Sequence, residues 1–444
     1  MIGPALALLL AMAAPERPAT LTITDVTLID GTGAPARPHV TVRIESGRIA
    51  WIGPADKARA EGTVIDGGGR FLIPGLWDMH AHLTSAGDVA CPTLVANGVT
   101  GVRDPGGELT LVDWLRAQIA AGALAGPRIF RAGPFVDGSK PGVADRLVVD
   151  TPDDARRAAG FLKQKGVDFI KVHTAVPSEA YFALLDEARR QGLQVIGHIP
   201  WAVDPARAIE AGHGSVEHVV SLFEGPFQQK VKAGKTQDQA LAELTDADVT
   251  ALARAMAARG TWFDPTLIAY WTRGARRNVV AEDDPRYRYV SASLKSFWRN
   301  FSPLPDTPEL RARLDRAWDR FMAITQIVRR ERVRFLVGTD LGAVNVYPGF
   351  SVHDELQWLV KAGFTPLEAL TVATRNSAES LGRQAELGTV EVGKRADLVV
   401  LEADPLQDIA NTTRVAAVVA DGRPFTKPEI GAMLEAVAAQ AASR

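Results

Sequence analysis

Cysteine is nearly absent from this chain of 444 residues, and neither sign of charge is in marked excess. The single cysteine, Cys91, excludes an intrachain disulfide framework and a cysteine-rich zinc site. The formal net charge of −2 provides no basic surface for nucleic acid, so we expect no nucleic-acid partner. With 46% hydrophobic and 23% charged residues, the composition is that of a globular protein with a sizeable core.

Long hydrophobic runs are also missing, apart from a short one at the N terminus. Residues 1–14 are apolar but too few to cross a membrane as a helix, and we predict no stable membrane span. The sequence Ala11-Met12-Ala13 before polar residues resembles a signal-peptide cleavage site, although no Lys or Arg precedes the apolar run. We therefore predict a signal peptide over residues 1–18 and a periplasmic or secreted protein, with a cytoplasmic protein as the alternative.

Both ends of the chain carry the pattern of β-strands. Residues 21–29 largely alternate between apolar and polar side chains and end at a glycine-containing turn. Residues 396–401 and 415–420, near the other end, also read as strands. Two β-rich ends around a large middle predict an accessory β-sandwich assembled from both termini.

The middle of the chain alternates predicted strands with predicted helices. Repeated strand–helix units indicate a parallel sheet, and eight such strands are typical of a (β/α)8 barrel. The alternative is an open doubly wound sheet, but no Gly-x-Gly-x-x-Gly sequence follows the first strand. The eight predicted strands are residues 76–82, 99–104, 128–132, 169–173, 194–198, 215–218, 261–267 and 335–340.

The predicted fold class is thus α/β, with a (β/α)8 TIM-like barrel and an accessory β-sandwich built from both termini. The predicted boundaries are residues 1–18 for the signal peptide, 19–73 and 380–428 for the sandwich, 74–379 for the metal-binding barrel, and 429–444 for a C-terminal helix or tail.

Two histidines one residue apart, His80 and His82, follow an apolar run and a Pro-Gly turn at Pro74 and Gly75. Alternate side chains of a strand point to the same face, so both imidazoles can reach one metal ion from inside a barrel. A bare His-x-His pair usually occurs by chance or on an exposed strand. The interpretation therefore depends on whether the chain supplies further ligands.

Candidate ligands do lie at the ends of later predicted strands. Lys171, His198 and His218 are 27 and 20 residues apart, each close to one strand–helix unit, and Asp340 ends the eighth strand. Equivalent positions meet at the C-terminal mouth of a barrel, where barrel enzymes hold their sites. One buried histidine alone is more often a core residue, and a lone lysine is more often ion-paired. The ordered set favours a metal site: His80, His82, Lys171, His198, His218 and Asp340.

Histidine, aspartate and lysine together suit two divalent cations bridged by a hydroxide, and zinc is the ion expected from these ligands. Lys171 can serve only if its ammonium loses a proton and the amine reacts with carbon dioxide, which gives a carbamate that bridges like a carboxylate. Burial in an apolar strand disfavours the charged form of lysine and helps the first step. The predicted cofactors are two divalent metal ions, with carboxylated Lys171 as the bridging ligand.

These motifs resemble the amidohydrolase superfamily, and more narrowly its imidazolonepropionase-related and Xaa-Pro dipeptidase-like branch, which includes ochratoxin-hydrolysing amidases. The resemblance runs from about residue 21 to 425, and its specific parts are residues 72–82 and the ordered ligand set. It implies that His80 and His82 bind the more buried metal with Asp340. It also implies that His198 and His218 bind the second metal, and that Lys171 bridges both.

The resemblance further implies that the bridging hydroxide attacks a carbonyl carbon while Asp340 carries the proton to the leaving amine. Asp340 and His218 are accordingly the predicted catalytic residues. The predicted reaction is hydrolysis of a C–N amide bond in a small molecule, a dipeptide or an N-acyl amino acid. Two alternatives use the same site, on a cyclic amide or imidazolone, or on a lactone, ester or organophosphate. A third is an inactive barrel that acts as a binding protein, which the intact ligand set disfavours.

Substrate contacts are the weakest part of the resemblance, because histidines common in relatives are missing after His198 and in residues 133–140. His173 shares the inward face of Lys171 and can either contact substrate or hold structure. Tyr270 and Arg273 follow the seventh strand and can shape the pocket or bind a carboxylate, with a solvated loop as the alternative. The sequence leaves open whether the protein is a homo-oligomer.

A final expectation concerns the end of the second strand. Arg103 and Asp104 close it, and we predict that they anchor the barrel end through an ion pair.

Overall fold

The computed structural model describes residues 12–57, 59–140 and 146–442. Residues 1–11, most of the predicted signal peptide, lie outside the described residues. The segment that follows them contacts the body of the protein. The amide of Ala125 donates to the carbonyl of Met12 at 2.7 Å, and the amide of Ala14 donates to the carbonyl of Gly122 at 3.0 Å.

The strands of the described residues are numbered in chain order. They are β1 Thr20–Leu28, β2 Arg37–Glu45, β3 Arg48–Pro54, β4 Thr63–Asp66, β5 Phe71–Pro74, β6 Leu76–Asp78, β7 Val99–Asp104, β8 Arg128–Arg131, β9 Phe135–Asp137, β10 Arg146–Val148, β11 Ile170–Val172, β12 Val195–Gly197, β13 Ser215–Glu217, β14 Trp262–Asp264, β15 Arg334–Phe335, β16 Leu398–Leu401, β17 Val415–Ala420 and β18 Arg423–Thr426.

The helices are numbered in the same way. They are α1 Leu83–Ala86, α2 Ala90–Ala96, α3 Leu109–Ala120, α4 Pro152–Gln164, α5 Ser178–Arg190, α6 Pro205–Glu210, α7 Glu224–Lys232, α8 Gln237–Ala242, α9 Asp246–Arg259, α10 Leu267–Arg276, α11 Ala292–Arg299, α12 Pro308–Arg330, α13 Phe350–Lys361, α14 Pro366–Thr371, α15 Ser377–Ser380 and α16 Lys427–Ala442.

The first sheet joins the two ends of the chain. Its strand order is β18-β17-β16-β5-β1-β2-β3, and β4 pairs with β1. The two ends meet where β16 pairs antiparallel with β5. Apolar side chains from both ends, such as Leu21, Val42 and Val400, pack into one buried cluster. Folding of this sheet into a sandwich stays a prediction, as do the boundaries assigned to it.

The middle of the chain forms two parallel sheets, of order β6-β7-β8 and β10-β9-β11-β12-β13-β14-β15. The predicted α/β fold with parallel strands is therefore confirmed. Backbone hydrogen bonds connect both edges of the three-stranded sheet to the seven-stranded sheet. The amide of Asp168 donates to the carbonyl of Arg131 at 2.9 Å, and the amide of Met79 donates to the carbonyl of Val337 at 2.7 Å. Closure into one barrel stays a prediction, and these links support it.

The first and last strands of the parallel sheets are shorter than predicted. β6 ends at Asp78, and β15 spans only Arg334–Phe335. His80, His82 and Asp340 therefore lie in irregular backbone just beyond the strands. The two segments still contact each other, through a parallel bridge between Ala81 and Leu341. Asp340 itself has a positive φ of 58°, which an extended strand does not adopt.

Side-chain caps set where several helices begin. Thr151 accepts a hydrogen bond from the amide of Asp154, while the Asp154 carboxylate accepts one from the amide of Thr151, so α4 begins at Pro152. Thr245 and Asp248 form the same reciprocal pair at the start of α9. Among the helices of the described residues, none is both long and apolar enough to span a bilayer.

Candidate metal centre

Four histidine rings lie in series just past the parallel strands. The ring centroid of His80 is 5.2 Å from that of His82 and 4.6 Å from that of His218. The ring of His198 lies 4.6 Å from that of His218. These four predicted ligands, which are up to 138 residues apart in sequence (218 − 80), are thus brought together by the fold.

The carboxylate of Asp340 lies among these rings. Its Oδ1 atom is 3.5 Å from Nε2 of His80 and 3.5 Å from Nε2 of His82. His80, His218 and Asp340 each offer one ligand atom, and these atoms all lie within 4.8 Å of one another. That spacing suits nitrogen and oxygen ligands around a shared divalent cation.

Hydrogen bonds at Nδ1 orient two of the imidazoles. His82 donates from Nδ1 to the carbonyl oxygen of Gly106 at 2.9 Å, which leaves the lone pair on Nε2. Nδ1 of His218 is 2.8 Å from the hydroxyl of Thr266. Such outer contacts set the tautomer and the ring direction of metal-binding histidines.

Buried polar atoms at the site lack protein partners. Neither ring nitrogen of His80 makes an aligned hydrogen bond with any described residue, and neither does Nδ1 of His198. Nδ1 of His80 lies 3.0 Å from Oε2 of Glu217, but the contact is out of hydrogen-bond alignment. Because buried polar atoms nearly always have a partner, these nitrogens fit a cation that completes the site.

Burial and neighbouring charges favour the protonation states that a metal requires at His80, His198, His218 and Asp340. At His82, burial disfavours the charged form, but the contact with Asp340 raises the pKa above the ordinary value. Burial lowers the pKa of His80 to about 4, and burial together with neighbouring imidazoles lowers the pKa of His198 and His218 well below the ordinary value. Burial disfavours the charged form of Asp340, but its contact with His82 and the nearby His218 lower its pKa below the ordinary value. Neutral imidazoles and an ionised carboxylate are the forms that bind metal.

Three residues around the site have unusual backbone conformations. The φ angles of His218, Thr266 and Asp340 are 70°, 48° and 58°. Positive φ in a non-glycine residue costs about 1–3 kcal/mol and occurs preferentially at functional sites. The positive φ of His218 breaks the alternation of side chains along the strand. The side chains of Glu217 and His218, which are sequence neighbours, therefore both reach His80.

Two glycines allow close approach at the strand ends. A Cβ atom at Gly197 would lie 2.4 Å from the carbonyl oxygen of Val172 and 2.7 Å from Cδ of Lys171, so glycine is needed for the lysine to pass. A Cβ atom at Gly338 would lie 2.4 Å from a carboxylate oxygen of Asp264 and 2.6 Å from Cβ of His80.

Lys171 lies in a buried charge network beneath the histidines. Its Nζ atom is 2.8 Å from Oε2 of Glu217, and Arg103 donates to the other oxygen of Glu217. Arg103 also donates to Asp264 at 3.2 Å. Burial opposes ionisation of Glu217, but Arg103 and Lys171 hold its pKa well below the ordinary value, whereas burial raises the pKa of Asp264 to about 8.

The predicted ion pair between Arg103 and Asp104 is wrong. Arg103 pairs with Glu217 and Asp264, while Asp104 accepts hydrogen bonds from the amides of Leu83 and Gly106. The reason is that consecutive side chains of a strand point to opposite faces, so two neighbours in β7 face different surroundings.

Two buried carboxylates contact the cluster although the sequence analysis did not single them out. Glu217 is one, and its position directly before His218 was its only signal. Asp78 is another. Its carboxylate accepts from the amide of His80 at 3.1 Å and from the amide of Thr339 at 3.0 Å. It thereby connects the segment that carries His80 to the segment that carries Asp340.

A cavity of about 640 Å³ opens beside the centre. Its wall contains two predicted ligands, His82 and Asp340, and both predicted pocket residues of α10, Tyr270 and Arg273. Three phenylalanines complete much of the wall, namely Phe135, Phe297 and Phe301. Tyr270 also reaches the histidines, with its ring centroid 6.3 Å from that of His218.

His173 lies against the centre but does not line that cavity. Its ring is 4.4 Å from the ring of His198, and its Nδ1 atom is 3.3 Å from a carboxylate oxygen of Asp137. These contacts fit a residue that packs beside a ligand, which was the structural alternative for His173.

Comparison with known proteins is consistent with this geometry. The model of the Amidohydrolase family matches residues 71–425. Ochratoxinase of Aspergillus niger is 25% identical over 473 residues, with 91% of this chain and 86% of the relative covered. Imidazolonepropionase of Micrococcus luteus is 25% identical, with 86% of this chain and 92% of the relative covered. The solved structure of bottromycin amidohydrolase is 26% identical in sequence and has a TM-score of 0.77. The match covers 98% of this chain and 94% of that structure's chain.

Proposed function

Because this chain belongs to the amidohydrolase family and is a hydrolase of carbon–nitrogen amide bonds, we propose that it works with two divalent cations, zinc being the expected ion. We propose as substrate a dipeptide or an N-acyl amino acid. The observation that carries the proposal is the cluster of His80, His218 and Asp340, whose ligand atoms lie within 4.8 Å of one another beside a cavity.

The proposed ligands divide into two sets with one shared residue. His80, His82 and Asp340 hold the first cation, and His198 and His218 hold the second. Lys171, as a carbamate, contacts both. When bound, the two cations supply a water of lowered pKa and polarise the substrate carbonyl. The neutral imidazoles and the ionised Asp340 described above support this assignment.

Asp340 is the proposed proton carrier. It is an ionised carboxylate, it lies in the cavity wall, and about one quarter of its side chain is exposed. A carboxylate in that position can accept a proton at one oxygen and deliver it to the leaving amine in the same cavity. The amine then leaves in its protonated form, which is a much better leaving group than the amide anion.

Arg273 is the proposed contact for a substrate carboxylate. It is the only Lys or Arg side chain in the described wall of the cavity. Phe297 and Phe301, in the same wall, are 40% and 41% exposed, which is unusual for large apolar side chains. Together these residues favour an amide substrate with a free carboxylate and a bulky apolar group.

Measurements on the metal-replete protein test the function. We expect about two metal ions per chain by elemental analysis, and a carbamate signal in ¹³C NMR after incubation with labelled bicarbonate. A panel of dipeptides, N-acyl amino acids, cyclic ureides and lactones should show hydrolysis of the first two classes. Turnover of lactones alone would overturn the amide assignment.

The substrate assignment has its own variant, Arg273→Gln. Losing a charged hydrogen bond of about 1.5–3 kcal/mol should raise KM about 10–100-fold for substrates with a free carboxylate. It should leave KM for the matching carboxamides unchanged. Arg299→Gln, on the same face of the molecule but not in the cavity wall, is the control. If Arg273→Gln had the same KM as the parent protein for carboxylate substrates as well as for carboxamides, the role of Arg273 would be contradicted.

Two further points remain proposals. We propose that the two parallel sheets close into one (β/α)8 barrel, supported by the backbone bonds at both edges, and that the first sheet is its accessory β-sandwich. We also propose export of the protein, supported by the apolar N-terminal run and its Ala-x-Ala sequence.

A further inference from the structure

One carboxylate in the molecule touches several parts of the proposed centre at once. Glu217, at the end of β13, is fully buried. Its Oε2 atom lies 2.8 Å from Nζ of Lys171 and 3.0 Å from Nδ1 of His80, while its other oxygen accepts from Arg103. Two residues of the proposed ligand set therefore contact a single oxygen atom.

We propose that Glu217 is the positioning residue of the centre, which sets the directions of both His80 and Lys171. The inference rests on the metal centre proposed above. A carboxylate oxygen beside Nδ1 favours the imidazole tautomer that carries its hydrogen there. The lone pair of His80 is then on Nε2, the nitrogen that faces Asp340 at 3.5 Å.

Arg103 holds Glu217 in place from the opposite side. The guanidinium donates to the carbonyl oxygen of Met79 at 2.7 Å as well as to Glu217. Met79 directly precedes His80. The contacts therefore form a closed circuit, from the backbone before His80 through Arg103 and Glu217 to the ring of His80. A shift of the backbone before His80 would weaken the bond from Arg103 to Met79, and a shift of the ring would change the 3.0 Å approach of Nδ1 to Glu217.

The contact with Lys171 also survives the proposed modification. When the lysine amine adds to carbon dioxide, a nitrogen–carbon bond forms and one proton leaves, but one N–H remains on the carbamate nitrogen. That N–H can donate to Glu217 as the ammonium does. Glu217 thus orients the side chain of Lys171 both before and after the modification.

Glu217 is not itself needed as a ligand. His80, Glu217 and Asp264 each offer one ligand atom, and these atoms lie within 4.8 Å of one another. One oxygen of Glu217, however, already accepts from Arg103, and the other contacts Nζ of Lys171. Arg103 occupies the space between Glu217 and Asp264, at 3.2 Å from the latter. A guanidinium there disfavours a second cation by repulsion.

The test measures zinc affinity by competition with a chelator, and zinc content at saturation, in Glu217→Gln and Glu217→Asp. Outer contacts of this type change metal affinity about 10–100-fold, and we expect a loss of that size in both variants with two ions still bound at saturation. Glu355→Gln is the control. Glu355 is equally buried and accepts from the amides of Leu267 and Ile268, but it touches no proposed ligand.

Each outcome decides between explanations. If Glu217→Gln fails to fold because Arg103 loses its partner, Glu217→Asp decides, since it keeps the charge but shortens the reach. Wild-type affinity in the variants, or an equal loss in Glu355→Gln, would overturn the inference. A fall to one ion at saturation would also overturn it, because Glu217 would then be a ligand. Failure of the parent protein to bind two ions would instead refute the proposed function.

Discussion

The first sheet and the parallel sheets bury different kinds of side chain. The shared core of the first sheet consists of residues such as Leu21, Ile23 and Val42, all of them apolar. The parallel sheets bury Arg103, Lys171, Glu217 and Asp264 almost completely. Burying charge costs free energy even when the charges are paired. The strands of the first sheet thus avoid the cost of buried charge, whereas the parallel sheets bear it beside the proposed metal centre.

Backbone conformation differs between the regions in the same way. In the first sheet, positive φ occurs at Ser46, in the tight turn between β2 and β3, where short polar residues tolerate it. It also occurs at Asp25 and His39, where the pairing of β1 with β2 is irregular. Beside the parallel sheets it occurs at His218 and Thr266, which are buried at the site. The first kind follows from turns and strand irregularities, while the second lies where the candidate ligands meet.

The largest expected difference between the regions comes from one substitution made in each. Asp340→Asn should lower kcat about 10²–10⁴-fold, because the amide cannot carry the proton, while most of the metal stays bound. Asparagine tolerates positive φ, so the backbone should hold. Asp25→Asn in the first sheet, also at positive φ, should leave kcat unchanged. Steady-state kinetics with metal analysis checks both, and an active Asp340→Asn enzyme would remove Asp340 as the proton carrier.

A truncation in the core of the first sheet should lower stability without changing catalysis. Ile23 is fully buried, so Ile23→Ala should lower the free energy of unfolding by about 2–5 kcal/mol. We expect kcat and metal content to be unchanged below the unfolding transition. Thr24→Ala, its neighbour on the other face of β1, should cost less than about 0.5 kcal/mol. Denaturant unfolding measures both, and a loss of activity in folded Ile23→Ala would show that the regions are coupled.

The smallest expected effect concerns pH. Burial raises the pKa of Glu355 from 4.5 to about 8. Between these values the folded state keeps a proton that the unfolded state releases, so this group makes stability fall as pH rises from about 4.5 to about 8. Glu355→Gln should therefore flatten the pH dependence of Tm in that window. An unchanged slope would show that Glu355 is ionised in the folded protein.

The candidate ligands could be selected from the sequence because metal sites need particular residue types at strand ends, and the strand–helix repeat gives those ends a regular spacing. Their role as ligands stays a prediction. His80, His198, His218 and Asp340 were identified in this way, and the structure places them together. Lys171 was also predicted, but its contact with Glu217 was not. Ion pairs between distant strands depend on which side chains face inward, and a single positive φ at His218 changes that alternation.

The sequence alone therefore determined the fold class, the family and the residue types of the site, since each depends on local periodicity or short motifs. Only the tertiary structure decided the partner of Arg103, the circuit through Glu217 and the phenylalanine wall around Arg273. Those contacts join different elements of the fold, and the pairing of Arg103 with Glu217 spans 114 positions of the sequence. Local propensity does not encode such distances, whereas the packing of parallel strands does.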